Sequence, residues 1–268
     1  MSDTKAKKIH LFHIDTREYL VGIDVVEAPM CMCVEIIGYE KDDLIFACSD
    51  HTIRKINLKR ETEKAINGHG IVQYMWKTVI DGAPFDFQNA LVVLDVQHQP
   101  FVSDVKEGKL VFVCSRHLNQ LTVLRSSDGQ IIQTFHQEIE PVRLKGPWGI
   151  AVTPTRDLLL TASQLGHHRI LKLGNGGFAT QLVGCFGSTM QMQIPTAILV
   201  DQVNENIIVC SGNHKIIIYN SAGEFIKEYG CLGKDSQGLN TPCGLCLDER
   251  KGFLFVSDLE NQRVMVFK

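Results

Sequence analysis

Side chains that can bind an anion or a nucleic-acid base recur at two points of a repeated pattern, near the start of the first and near the start of the third apolar strand. These candidate binding positions are His51, Arg116, His117, Arg143, Lys145, Trp148, His167, His168, Arg169, Asn213, His214, Lys215 and Arg263. Cationic side chains beside an aromatic ring are suited to holding phosphates and stacking an unpaired base. Alternatively, the Asn-His-Arg type positions are a repeat signature whose side chains only tie neighbouring blades together through backbone hydrogen bonds. Trp148 would then fill the core or cap the central channel.

Metal binding and catalysis have weaker support. His51, His117 and His214 come from different repeats and would have to converge to ligate a metal, but their loops differ in length, which favours surface histidines. Cys31 with Cys33 and Cys243 with Cys246 lack a second pair at zinc-ligand spacing. The sequence holds no GxSxG, HExxH, phosphate-binding glycine loop or EF-hand pattern. We therefore expect no metal, no cofactor and no enzymatic activity.

Composition limits the partners and the compartment. The chain has 268 residues, 44% hydrophobic and 21% charged, with 27 Lys and Arg against 30 Asp and Glu. Its net charge of -3 argues against binding DNA through bulk positive charge. No apolar run is long enough to cross a membrane, and no secretory signal follows the basic start. Nine cysteines, an odd number, without an export signal predict free thiols in the cytoplasm.

A repeat of about 47 residues organises the sequence. Prolines at 100, 147, 195 and 242 lie 47, 48 and 47 residues apart, and Pro29 starts an earlier, looser copy. Each is followed by an apolar run, a polar turn, a second apolar run ending in serine, and then a third strand. A glycine-containing turn leads to a fourth strand, such as residues 225–229. No stretch carries a sustained helical period, so each unit is predicted to be a four-stranded antiparallel meander.

Repeated meanders of this length predict an all-β fold, a single β-propeller over residues 1–268. Five units are readable outright, and the terminal strands together with a surplus at residues 67–98 bring the total close to six. We expect the N-terminal strand to complete the C-terminal blade, which would remove an exposed edge. The surplus is either a degenerate blade or an irregular insertion that protrudes toward a partner.

The repeat also offers a structural explanation for the cysteines. Cys48, Cys114 and Cys210 each directly precede the serine that ends a second strand. Cys31, Cys33 and Cys246 align with small or apolar residues of the first strands in other copies. We expect all of these thiols to act as compact buried hydrophobes.

Several copies resemble the NHL repeat, whose pattern runs Pro-x-Gly-Ile-Ala-Val, then Asn-His-Arg before the third strand. The matching residues are Pro147-Trp148-Gly149-Ile150-Ala151-Val152, His167-His168-Arg169, Asn213-His214-Lys215, Pro242-Cys243-Gly244-Leu245 and Asn261-Gln262-Arg263. The resemblance is strongest over residues 147–268. It implies a six-bladed propeller similar to that of tripartite-motif NHL proteins, in which the propeller binds RNA or proteins. The family also resembles a metal-dependent propeller lyase.

Three functions follow as hypotheses. The first is a non-catalytic scaffold that binds a protein or peptide partner on one face of the propeller. The second is binding of single-stranded RNA, for translational or mRNA regulation, on the basic candidate positions. Asp50, Asp258 and Glu260 are the only carboxylates in the second-to-third loops, so that face is more positive than the chain as a whole. The third is a metal-dependent lyase or hydrolase.

Overall fold

The structure is a computed structural model that describes residues 1–38, 41–80, 88–97, 107–136, 138–139, 142–164, 167–174, 182–187 and 191–268. The chain divides into two compact units, residues 1–134 and 135–268. Each unit is built from antiparallel sheets whose strands follow one another along the chain. The expectation of one domain over the whole chain stays a prediction.

Three sheets belong to the first unit. Sheet 1 consists of β1 (Ser2–Asp3), β2 (Lys8–Phe12) and β3 (Tyr19–Asp24). Sheet 2 consists of β4 (Pro29–Glu35), β5 (Asp43–Cys48), β6 (Thr52–Asn57) and β7 (Trp76–Val79). Sheet 3 consists of β8 (Gln88–Gln97), β9 (Glu107–Ser115), β10 (Gln120–Arg125) and β11 (Ile131–His136), the last of which crosses the boundary between the units.

The second unit contains three more sheets and two short strand pairs. β12 (Glu138–Ile139) pairs with β13 (Val142–Arg143). Sheet 4 consists of β14 (Pro147–Val152), β15 (Leu158–Gln164), β16 (His167–Leu173) and β17 (Leu182–Phe186). Sheet 5 consists of β18 (Pro195–Val200), β19 (Ile207–Ser211), β20 (Lys215–Tyr219) and β21 (Phe225–Tyr229). β22 (Cys231–Leu232) and β23 (Gly238–Leu239) precede sheet 6, which consists of β24 (Pro242–Asp248), β25 (Phe253–Asp258) and β26 (Arg263–Phe267).

This succession of six antiparallel meanders confirms the predicted fold class, an all-β propeller with six blades. Four sheets have four strands, and sheets 1 and 6 have three. The predicted closure is wrong, because β1, β2 and β3 pair only with one another in the described sheets. The segment 8–24 forms its own hairpin, in which the paired strands satisfy each other's backbone groups.

The prolines that mark the repeat start the first strand of sheets 2, 4, 5 and 6. In each of these strands the pairing register shifts just after the proline, as between Pro147 and Ile150 and between Pro195 and Ile198. Proline cannot donate a ladder hydrogen bond, so it is tolerated at a strand start or a bulge. The repeated proline is therefore the sequence mark of a β-bulge at the start of these four first strands.

Close packing explains one small residue of that pattern. A Cβ atom added to Gly149 would lie 2.7 Å from the carbonyl oxygen of Thr196, in the first strand of the next sheet. The Gly149 N–H donates to Thr161 Oγ1 at 2.7 Å. The repeat therefore keeps a small residue here because two first strands approach closely.

The surplus segment contributes to two ordinary sheets. β7 is the fourth strand of sheet 2 and β8 is the first strand of sheet 3, so the surplus is not a degenerate blade. Sheet 3 thus begins at Gln88 and not at Pro100, and residues 100–105, predicted as its first strand, lie outside the described residues. A helix that the sequence reading missed, α1 (Leu58–Ile66), connects β6 to the segment leading into β7.

Most of the predicted core cysteines are buried or packed on the core. Cys48, Cys114 and Cys210 are fully buried, and burial raises the pKa of each thiol, to about 11 for Cys48. Cys31 and Cys33 pack against the core cluster of sheets 2 and 3, and burial raises the pKa of Cys31 to about 12. The prediction is wrong for Cys246, which is exposed because the middle of β24 is only partly covered by other side chains.

Candidate functional site

The turns between second and third strands share a backbone feature. His51, Asn119, His214 and Gln262 each precede a third strand and adopt φ values of 60°, 52°, 64° and 53°. This left-handed region is uncommon for residues other than glycine, and Asn and His are enriched in it. The Asn-His type positions are thus explained in part by turn geometry, without a ligand.

The histidines of these turns also have local structural roles. His214 Nδ1 accepts a hydrogen bond from the Thr241 backbone N–H at 3.2 Å, which links the β19–β20 turn to the start of sheet 6. His168 Nδ1 lies 2.9 Å from Ser163 Oγ across the β15–β16 pair. His51 Nδ1 is buried without a hydrogen-bond partner among the described atoms. Three or more metal-ligating side chains do not gather anywhere in the described part of the chain.

Two predicted cations are paired inside their own sheets. Lys215 forms an ion pair with Glu228 of the neighbouring strand β21. Arg263 Nε donates to Asp258 Oδ2 at 2.8 Å, and its Nη atoms donate to the carbonyls of Lys234, Asp235 and Gly238. Arg263 thus makes backbone contacts of the kind expected for a structural tie, whereas Lys215 forms a side-chain ion pair within its own sheet.

Asp258, the carboxylate that Arg263 contacts, accepts further hydrogen bonds. The carboxylate is fully buried, which raises its pKa, but hydrogen bonds from the Asn240 N–H, the Asn261 amide and Arg263 outweigh this effect. The pKa of Asp258 is therefore lowered from its ordinary value of 3.8. From the sequence alone, Asp258 is recognised only as one of the carboxylates in the second-to-third loops of a basic face.

The other candidate positions are distributed over both units. Arg116 and His117 lie in the β9–β10 turn of the first unit, half-buried and exposed respectively. Lys145, Trp148, Arg169 and Asn213 are half-buried in the second unit. Arg143 and His167 lie on β13 and β16, but their side chains fall outside the described part of the structure. Three of the thirteen positions belong to the first unit and ten to the second.

The sequence reading missed a buried charged cluster in sheet 2. Lys55 Nζ lies 2.6 Å from Glu35 Oε2 and 3.0 Å from Asp43 Oδ2, and the latter is an ion-pair contact without hydrogen-bond geometry. Ser126 Oγ donates to Glu35 Oε2 at 2.5 Å, and the Trp76 indole N–H donates to the Ser126 carbonyl at 2.8 Å. The available signal was an acidic residue on each of the two preceding strands, Glu35 on β4 and Asp43 on β5.

A second buried cation, Arg54, directly precedes Lys55 on β6. Arg54 donates to Asp50 Oδ2 at 2.5 Å, to Thr52 Oγ1 at 2.9 Å and to the Tyr74 hydroxyl at 2.9 Å. Its guanidinium also lies 5.0 Å from the centre of the Tyr74 ring. These contacts occupy Asp50, so this carboxylate belongs to the framework of the sheet.

Exposed apolar side chains on both faces of the outermost strand of sheet 5 were also missed. Phe225, Ile226 and Tyr229 of the outermost strand β21 have 45%, 46% and 44% of their surface exposed. We call these three residues the β21 patch. Lys227 Nζ lies 5.0 Å from the centre of the Tyr229 ring. The sequence predicts a strand at residues 225–229, but it does not show which side chains of this strand remain in solvent.

The sheets and the solved structures place the chain in the class of β-propellers. It matches the crystal structure of Saccharomyces cerevisiae Sqt1 with a TM-score of 0.56 and 14% identity, over 97% of this chain and 65% of that one. It matches a Bacteroides caccae protein of unknown function with a TM-score of 0.58 and 13% identity, over 94% and 79% of the two chains. At such identity the likeness shows the fold alone.

Sequence comparison gives a more particular similarity. No family model matches the chain. It is 30% identical over 124 residues to the protein brain tumor of Drosophila melanogaster, an NHL-repeat protein. The match covers 45% of this chain and 11% of that protein, so the chain spans a small part of this relative. Helices in the described ranges are all too short or too polar to cross a bilayer.

Proposed function

We propose that the chain is a non-catalytic recognition scaffold in the cytoplasm that binds a protein or peptide partner through the β21 patch. The single observation that carries this proposal is the exposure of two aromatic residues and an isoleucine on one outer strand. Exposed groups of large apolar side chains cost free energy in water and commonly mark protein interaction sites. Tyrosine and phenylalanine are also enriched at protein interfaces.

The charge arrangement around the patch favours a protein over a nucleic acid. Lys215, the nearest of the predicted basic positions, is already paired with Glu228 in the middle of β21. A phosphate approaching Lys215 would meet the Glu228 carboxylate as well. Arg263 likewise donates hydrogen bonds to Asp258 and to backbone carbonyls. RNA binding needs cations that are available to neutralise phosphates.

Similarity supports the same class of function. The NHL-like repeats and the match to the brain tumor protein agree with a propeller that acts by binding. Because the match spans only 11% of that protein, we transfer none of its partners to this chain.

The test combines capture of partners with matched surface variants. The full chain would be immobilised as wild type, as Tyr229→Ser and as the control Val203→Ser, which alters an exposed valine elsewhere in the same unit. Proteins bound to each would be quantified by mass spectrometry, and the strongest binder purified for titration calorimetry. We expect Tyr229→Ser to weaken binding about tenfold or more, as for an interface hot spot, while Val203→Ser leaves it unchanged.

A parallel titration tests the RNA alternative. The same three proteins and a fourth, Lys145→Glu, would be titrated with a pool of short single-stranded RNAs at about 50 and 200 mM salt. Tight binding that falls steeply with salt, is lost in Lys145→Glu and is unaffected by Tyr229→Ser would overturn the proposal. So would protein binding of equal strength to wild type and Tyr229→Ser.

A further inference from the structure

Arg169 differs from the paired basic residues of the second unit in having no counter-ion. Lys215 pairs with Glu228, and Arg263 pairs with Asp258. Arg169 is half-buried, and within the described part of the chain its guanidinium forms no ion pair and no hydrogen bond. A charge that is withdrawn from water is usually compensated by a partner. The fold alone therefore does not explain this arginine.

The strand register makes the position of Arg169 more unusual. Arg169 pairs with Ala162, directly before the serine of its repeat. The same register position in sheet 5 holds Ile216, which is 1% exposed. In sheet 6 it holds Met265, which packs against the core cluster that sheets 5 and 6 share. Arg169 thus occupies a place that the two following sheets give to an apolar residue.

A second cation lies at the same end of sheet 4. Lys145 is half-buried, and among the residues that the structure describes it also has no ion-pair partner. The next residue, Gly146, accepts a hydrogen bond from the Ser163 N–H at 3.2 Å, and Ser163 pairs with His168, the neighbour of Arg169. One strand therefore lies between the two cations, which spaces their own strands about 10 Å apart. Lysine and arginine side chains are long enough to meet at one anionic group across that spacing.

The number of unpaired cations indicates which anion fits. Binding of single-stranded RNA relies on a groove of cations that follows several phosphates along the strand. Two cations at one end of a sheet match a single carboxylate instead. The planar guanidinium of arginine binds a carboxylate through two parallel hydrogen bonds, and a nearby ammonium adds a point charge.

We propose that Arg169 and Lys145 together bind an acidic side chain, aspartate or glutamate, of the partner protein. This inference rests on the proposed protein-binding function and names the chemistry of the partner. The partner's carboxylate would supply the counter-ion that Arg169 lacks. The contact on sheet 4 would add charge recognition to the apolar contact of the β21 patch.

Simple anionic probes test this site. Rhodamine-labelled hexaglutamate would be titrated with the full chain by fluorescence anisotropy at about 50 and 200 mM salt. Hexaglutamine is the neutral control, and labelled hexauridylate represents RNA. We expect saturable binding of hexaglutamate that weakens at the higher salt, at least about tenfold weaker binding of hexauridylate, and no binding of hexaglutamine.

A matched pair of variants locates the binding. Arg169→Met removes the charge but retains a long side chain, and Arg250→Met makes the same change at an arginine of the second unit whose side chain is 84% exposed. We expect at least about tenfold weaker hexaglutamate binding for Arg169→Met and no change for Arg250→Met. Lys145→Met should also weaken binding.

Thermal unfolding of the same variant distinguishes ligand binding from a structural role. Because methionine suits a position that is apolar in sheets 5 and 6, Arg169→Met should melt at or above the temperature of wild type. If Arg169 were a structural tie, its removal would lower the melting temperature. The binding and stability measurements therefore move independently only when Arg169 serves a ligand.

The outcomes separate this inference from the proposed function. Absence of hexaglutamate binding to wild type, unchanged binding in Arg169→Met or Lys145→Met, or a melting temperature of Arg169→Met below that of wild type would overturn the acidic-ligand site. Hexauridylate binding as tight as that of hexaglutamate would overturn it in favour of RNA. Partner capture that depends on Tyr229 would stand in the first three cases. Conversely, hexaglutamate binding that requires Arg169 would support the site even if Tyr229→Ser captured the same proteins as wild type.

Discussion

Lys55 Nζ lies 2.6 Å from Glu35 Oε2, and both side chains are only 5% exposed. The same ammonium donates to the Ser126 carbonyl at 3.2 Å, a residue 71 positions away along the chain. One buried charge therefore connects strands β4 and β6 of sheet 2 to the end of β10 in sheet 3. Buried ions are tolerated when they are paired and hydrogen-bonded in this way.

We predict that Lys55→Met strongly destabilises the protein. The substitution leaves the carboxylates of Glu35 and Asp43 buried without their cation, and breaking a buried pair typically costs about 3–5 kcal/mol of unfolding free energy. Urea unfolding followed by circular dichroism measures this loss. Lys5→Met, at an exposed lysine of the same unit, is the control and should change stability by less than about 0.5 kcal/mol. Equal stability of the two variants would show that the cluster contributes little.

Asp258 predicts a dependence of stability on pH. Its folded-state pKa lies below the ordinary value of 3.8, so its ionised form is favoured by folding. The resulting stability is present above that ordinary value and is lost as the pH falls through the lower, folded-state pKa. The difference in unfolding free energy between wild type and Asp258→Asn should therefore be constant from about pH 5 to 7 and shrink below about pH 4. Urea unfolding across this range measures it, and a difference that does not change with pH would contradict the assigned role.

Cysteine reactivity should follow burial. Cys185 and Cys231 are exposed, whereas Cys48, Cys114 and Cys210 are fully buried, and burial raises the pKa of these three thiols. Only the thiolate reacts with iodoacetamide. Brief labelling of the native protein, read by peptide mass spectrometry, should modify Cys185 and Cys231 and spare the buried three until denaturant is added. Early labelling of Cys114 would place that strand outside the core.

Gly146 should not tolerate a side chain. Its φ is +56°, and an added Cβ atom would lie 2.2 Å from the carbonyl oxygen of Ser163. Gly146→Ala therefore combines backbone strain with a steric clash and should cost about 2 kcal/mol or more. Gly70→Ala is the matched control, because no atom lies within 4 Å of its added Cβ. Thermal unfolding of both variants checks the prediction, and similar melting temperatures would refute it.

Local patterns in the sequence predicted most strands well. Residues 225–229 were identified as a fourth strand and form β21 with the same bounds, because a short run rich in Phe, Ile and Tyr between glycines specifies a strand locally. The sequence analysis did not predict the helix α1, because its sequence, LKRETEKAI, has too few apolar residues to show a helical period. The sequence feature that marks the start of this helix is its N-cap residue, Asn57, whose side chain accepts a hydrogen bond from the Arg60 N–H at 3.0 Å.

The sequence by itself determined the repeat, the strand order within each meander and the β-propeller class, because these follow from neighbours close along the chain, while it only favoured six blades over five. Only the tertiary structure decided which polar residues are structural and which surfaces remain open. Lys55 is buried because Glu35, Asp43 and Ser126 surround it, and Arg263 is occupied because Asp258 and three backbone carbonyls face it. The burial of a side chain depends on residues that folding brings together, and no local pattern in the sequence records them.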